Sequence, residues 1–272
     1  PCSTPFCSME ASLAEQASES RFQYDGSFSE QTYVLDGAIR RHDGQGEVYA
    51  ATANPVRGTV VALHGSGRSA ESYRRIPFYR YQRDRALRSG FRFVALSNGP
   101  DTWGRDAGLD NVLLLIDRLG NGGTGVPTVL WATSAGGVLA HRTASRRSIS
   151  GIILTFAVYD LESTFETSKG CAAAWGAGTR SEFLTAIAGR NPPDFVADVA
   201  YCPCIAGHGL DDAVVPYHSN TARLADDLRR HHGSVEVRTC TGGHSTDNYE
   251  VYDDQRIEGF LAEVAPPTSA GL

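Results

Sequence analysis

Three short stretches of the chain each run from apolar residues into a group that can move a proton or attack a carbon. "VLWATSAGG" (129–137) reaches Ser134, "YCPCIAGHGLDD" (201–212) reaches Asp212, and "SVEVRTCTGGH" (234–244) reaches His244. A serine hydroxyl is a poor nucleophile at neutral pH until a base takes its proton. Histidine suits that task because its ordinary pKa lies near ambient pH. A carboxylate beyond the histidine fixes its tautomer and supports the positive charge that develops on it. These three residue types together could carry out nucleophilic acyl transfer. Ser134 would have to sit on a sharp corner, and Ala132, Gly136 and Gly137 keep its neighbours small enough for one. Two other carboxylates compete for the acid role: Asp211, beside Asp212, and Asp160, which closes "GIILTFAVYD" (151–160). His64 and His208 are expected to shape their loops rather than transfer protons. Trp103, in "DTWG" (101–104), either lines a substrate cleft beside the serine or packs under a loop.

The elements that must position these groups can be read from the pattern. Strand-like runs occur at "QTYVLDG", "GEVYAATA", "GTVVALHG", "FRFVALSNG", "TVLWATS", "GIILTFAVYD", "YCPCIAGHG" and "SVEVRTCTGG". Helical stretches separate most of them: Ser69 to Gly90, Gly108 to Gly123, Ala135 to Ser145, Asn220 to Gly233 and Tyr249 to Val264. Such alternation predicts an α/β fold with a mostly parallel sheet and helices on both faces. The leading run of strands adds an antiparallel edge. In such sheets chemistry sits at the carboxyl ends of strands, where Ser134, Asp212 and His244 all fall. Residues 1–30 read as a polar arm, and 31–272 as a single domain. The stretch 161–200, between the sixth and seventh strands, breaks the alternation as an insertion.

The motifs resemble those of the α/β-hydrolase superfamily. "ATSAGG" (132–137) looks like its nucleophile elbow, "HGSG" (64–67) like its oxyanion loop, "HGLDDAVVP" (208–216) like its acid loop and "GGHS" (242–245) like its histidine loop. All four occur in the superfamily's order. The resemblance implies Ser134 as nucleophile, Asp212 as acid through the D-x-x-V-P spacing, and His244 as base. It implies the backbone N–H groups of Ser66 and Ala135 as oxyanion donors, and a cap formed by 161–200. It also marks Ala132 as unusual, because this corner ordinarily has glycine there. "DTWGRDAGLDNVLLLIDRLG" (101–120) is similar to a segment of secreted esterases of the polyhydroxybutyrate-depolymerase and feruloyl-esterase type. The expected activity is a serine esterase on small or polymeric carboxylic esters. A peptidase or amidase on the same triad, and a binding protein with an inert site, are the other readings.

Bulk properties bound these expectations. The 272 residues carry a formal charge of −6 and 41% apolar residues, with no basic block that would favour nucleic acid. No apolar run is long enough for stable insertion in a membrane. The triad chemistry needs no cofactor, and the cysteine spacing gives no zinc pattern. The six cysteines (Cys2, Cys7, Cys171, Cys202, Cys204 and Cys240) either form disulfides in an oxidising, extracytoplasmic setting or stay free in a cytosolic one. The expectation is a secreted chain whose signal segment has been removed, with Cys240 paired to Cys202 or Cys204 on a neighbouring strand.

Overall fold

The computed structural model describes residues 26–34, 45–52, 56–119 and 126–265. Most of the expected amino-terminal arm, with Cys2 and Cys7, lies outside them. Eight strands form one sheet: β1 (Phe28–Val34), β2 (Gln45–Ala51), β3 (Thr59–Leu63), β4 (Arg92–Leu96), β5 (Thr128–Thr133), β6 (Gly151–Thr155), β7 (Cys204–Gly209) and β8 (Val235–Cys240). Their order is β1-β2-β4-β3-β5-β6-β7-β8. Pairings from β4 through β8 are parallel, while β1 runs antiparallel to β2 and β2 to β4. The antiparallel edge is thus made by the first two strands. β3 lies inside the parallel part, with β4 between it and β2.

β3, β5 and β6 are buried along their whole length, which is why they read as unbroken apolar runs. Strand alternation sorts their side chains into two cores. Val61, Leu63, Leu130 and Leu154 face one, and Val60, Ala62, Val129 and Trp131 the other. Helices cover both. The chain forms α1 (Ser72–Arg75), α2 (Pro77–Arg88), α3 (Asp106–Arg118), α4 (Gly136–Ala144), α5 (Leu161–Thr164), α6 (Lys169–Ala174), α7 (Arg180–Ile187), α8 (Val196–Val199), α9 (Arg223–Arg230) and α10 (Asp254–Val264). α2 and α10 bury Phe78, Leu87, Phe260 and Leu261 on one side. α3, α4 and α9 bury Val112, Leu115, Leu139 and Leu228 on the other.

Two helices differ from the sequence reading. The stretch from Ser69 to Gly90 is not one helix: Ile76 is extended (φ −93°, ψ 121°) because the ring of Pro77 disfavours helical geometry in the residue before it. The last helix begins at Asp254, where the Asp253 carboxylate accepts from the Arg256 N–H at 3.0 Å, and Tyr249–Val251 forms a separate 3₁₀ turn.

The expected pairing of Cys240 with Cys202 or Cys204 is not made, and Cys171, Cys202, Cys204 and Cys240 are all free thiols. β7 and β8 are indeed neighbours, but Cys204 pairs in register with Val235 and Cys240 with Gly209. Five residues of strand separate the two levels, about 16 Å, whereas a disulfide needs Cα atoms within about 7 Å. No described helix is long and apolar enough to cross a membrane.

The chain leaves β3 for β4 on one side and leaves β5 for β6 on the other. Their outgoing loops therefore diverge and open a crevice at the carboxyl edge. Residues 161–200 fold into α5 to α8 and a 3₁₀ turn. Leu161, Cys171, Phe183 and Ile187 pack there against Trp103, Ala135, Val138 and Val215.

Candidate active site

Ser134 stands at the crevice, between β5 and α4. Its φ is +52°, a left-handed value that side-chain-bearing residues rarely hold and that costs about 1–3 kcal/mol. The surroundings fix it there. Its N–H donates to Thr155 O at 3.0 Å, and its carbonyl accepts from Gly137 N at 3.0 Å and Val158 N at 2.9 Å. The corner tolerates nothing larger than glycine on its helical side. A Cβ on Gly136 would collide with the Leu63 carbonyl, and one on Gly137 would stand 2.5 Å from Val158 O. Ala132 is different: it is an ordinary β5 residue paired with Leu63 and Leu154, and its methyl packs in the core.

His244 and Asp212 meet the serine. His244 Nε2 lies 2.9 Å from Ser134 Oγ, and His244 Nδ1 lies 2.7 Å from Asp212 Oδ2. Burial alone would raise the Asp212 carboxyl. Hydrogen bonds from His208, His244 and the Val215 N–H outweigh it and hold the group well below the usual carboxylate range. Asp212 is therefore an acceptor only, so Nδ1 carries the ring proton and Nε2 is free to accept from the serine hydroxyl. The other Asp212 oxygen accepts from Val214 N at 2.9 Å and Val215 N at 2.7 Å. His208 supports it from behind, with Nε2 2.8 Å from Val215 O and 3.3 Å from Asp212 Oδ2, and Nδ1 2.7 Å from Thr221 Oγ1.

The competing carboxylates are engaged elsewhere. Asp160 is paired with Arg223, accepts from Asn191 Nδ2 at 2.9 Å and caps α5 through Glu162 N. Asp211 accepts from Gly242 N at 3.2 Å and so shapes the loop leading to His244.

The "HGSG" loop lines the crevice through Gly65 and Ser66, Ala135 follows Ser134 at the start of α4, and neither the Ser66 nor the Ala135 N–H donates to a described backbone carbonyl. His64 fixes this loop. Its Nδ1–H donates to Gly65 O at 2.8 Å and its Nε2 accepts from Asn98 N at 3.2 Å, while Thr102 Oγ1 donates to His64 O at 2.6 Å. Burial pushes the His64 imidazole down to about 4, against the Gly65 hydrogen bond, so the ring stays neutral. Trp103 does both things the sequence left open. It lines the cleft, and its buried indole donates to Ser66 Oγ at 3.1 Å, packed beneath the same loop.

The cleft measures about 380 Å³. Sequence reasoning missed several of its lining residues, among them Arg68, Phe78, Tyr79 and Phe156. Phe156, at φ +48°, ends β6 early and turns its ring beneath His244, 5.6 Å between centroids. The strand was expected to continue to Asp160, and nothing in "ILTFAVYD" marks the break. Phe78 and Tyr79 arrive from α2, where both are buried in the core on that face of the sheet. Among the described residues no group of three or more His, Cys, Asp or Glu side chains could hold a metal ion.

No protein-family description and no curated protein matches this sequence. Solved structures do match its fold. It is similar to a puromycin-hydrolyzing peptidase of Mycobacterium tuberculosis (19% identity, TM-score 0.68, 87% of this chain and 39% of that one). It is also similar to an acylaminoacyl peptidase of Pyrococcus horikoshii (12%, TM-score 0.70, 93% and 44%) and to an esterase of Pyrococcus furiosus (16%, TM-score 0.66, 89% and 92%). The chain thus spans less than half of either peptidase and nearly all of the esterase. Its fold is that of the α/β-hydrolases.

Proposed function

We propose that this protein is a serine hydrolase that cleaves carboxylic esters through an acyl-enzyme on Ser134. The observation that carries this reading is the unbroken chain from Ser134 Oγ to His244 Nε2, and from His244 Nδ1 to Asp212 Oδ2, at the rim of an open cleft. His244 takes the Ser134 proton as Oγ attacks the carbonyl carbon. Asp212 remains ionised and stabilises the imidazolium. The Ser66 and Ala135 N–H groups receive the negative oxygen of the tetrahedral intermediate. His244 then protonates the leaving group, and water repeats the sequence to release the acid. Ser134→Ala should lower turnover of a short-chain p-nitrophenyl ester by at least about 10⁴-fold without changing the fold. Wild-type turnover in a folded variant would refute the assignment. A panel graded by acyl length and including polyester films and feruloyl esters locates the substrate within this class.

The same triad also cleaves amides, and the likeness to two peptidases gives that reading its support. Matched ester and anilide substrates separate the two. Turnover of the anilide at a comparable kcat/KM would make the protein an amidase or peptidase.

A further inference from the structure

We infer that the cleft accepts a substrate carrying a carboxylate a few bonds from the scissile carbonyl, and that Arg68 recognises this group. The inference rests on the serine-hydrolase reading and adds the substrate's charge to it. Among the described residues Arg68 is the one arginine lining the cleft, and no Asp or Glu side chain lines it. Nearby arginines are committed to carboxylates: Arg74 to Glu30, Arg75 to Glu71, Arg83 to Asp84 and Arg85 to Asp254. Arg68 has no carboxylate partner among the described residues. Its guanidinium hydrogen-bonds the Tyr79 phenol, which burial pushes up and which the Gly65 backbone and the Arg68 charge pull down.

Geometry brings that free charge close to the reacting bond. Gly67 takes φ +70°, and the Arg68 N–H turns back to Gly65 O at 3.2 Å, so the side chain leaves from the oxyanion loop itself. Tyr79 and Ser134 flank Gly65. A Cβ built there would stand 3.1 Å from the Tyr79 hydroxyl and 3.2 Å from Ser134 Cβ. A guanidinium beside Tyr79 is therefore separated from the nucleophile by little more than one glycine. Its planar fork suits a carboxylate's two oxygens. Ser168, Ser245 and Thr246 add hydroxyl-bearing residues to the lining, and Phe78 and Phe156 add apolar rings against which a short spacer can pack.

The test compares kcat/KM for esters that differ only in charge. On the acyl side the pair is mono-p-nitrophenyl glutarate and its methyl ester; on the alcohol side it is the butyrate esters of glycolate and glycolamide. The ratio of anionic to neutral member is the readout, so a general effect of substitution cancels. On at least one side the wild-type ratio should be about tenfold or more. It should shrink at high salt, fall toward unity in Arg68→Gln and recover partly in Arg68→Lys. A wild-type ratio at or below unity on both sides, or one unchanged in Arg68→Gln, overturns the inference. If wild type turns over none of the four esters, the hydrolase reading is what fails. The anion site is then judged by calorimetry with glutarate: weaker binding to Arg68→Gln supports it, and equal or absent binding overturns it.

Discussion

Asp212 and Asp160 are both buried carboxylates in loops that follow strands, and only their partners separate them. Asp212 faces His244, whereas Asp160 faces Arg223 and Asn191. Asp212→Asn should cost about 10⁴-fold in kcat, because an amide there favours the wrong His244 tautomer. Asp160→Asn should leave kcat within a few-fold and lower stability by about 1–2 kcal/mol through a weakened cap and ion pair. Steady-state kinetics and urea unfolding on both variants check this, and the reverse order of kinetic losses would move the acid to Asp160. The sequence offered three candidate acids and favoured Asp212 through its D-x-x-V-P spacing. What resolved them was long-range geometry, since a carboxylate 32 residues before its histidine carries no local sign of that partner.

At the scale of the element, the corner between β5 and α4 explains both what could be read and what could not. Its glycines were legible because backbone crowding demands them: Gly136 faces the Leu63 carbonyl and Gly137 faces Val158. The position that looked anomalous, Ala132, lies two residues before Ser134, within the regular β5 strand and its core. Ala132→Gly should therefore lower stability by about 1–2 kcal/mol through lost methyl burial and greater chain freedom. Ester turnover should stay within about twofold, as unfolding and kinetics on one preparation would show. A gain of tenfold in turnover would mean that the methyl strains the corner. Strand periodicity made the parallel sheet and its helices legible. It did not reveal Phe156, whose left-handed backbone sits where its N–H donates to Gly207 O of β7 and its ring stacks on Phe78.

For the molecule as a whole, two buried imidazoles couple folding to pH. Burial pushes His64 and His141 down to about 4, against hydrogen bonds to Gly65 and Gly137. In the unfolded chain both titrate near about 6.5. As pH falls below that value the unfolded state takes up protons first, so stability is full above about 6.5 and is lost toward about 4. Near pH 5 the slope should approach about 2.7 kcal/mol per pH unit for the pair. Urea unfolding at pH 7, 6 and 5 measures it. His141→Gln should halve the slope, and a flat profile would show that the rings gain protons without unfolding. The architecture was legible because its signals are periodic and local. The disulfide expectation failed because neighbouring strands do not fix register: Cys204 and Cys240 lie at opposite ends of paired strands.

The central claim is that Ser134 is a nucleophile activated by His244. Intact-mass and peptide-mapping analysis after reaction with a fluorophosphonate tests it most directly. The expected result is one adduct per chain, on Ser134, absent from Ser134→Ala and formed far more slowly in His244→Gln. No adduct on the folded protein, or an adduct on another residue, would contradict the account.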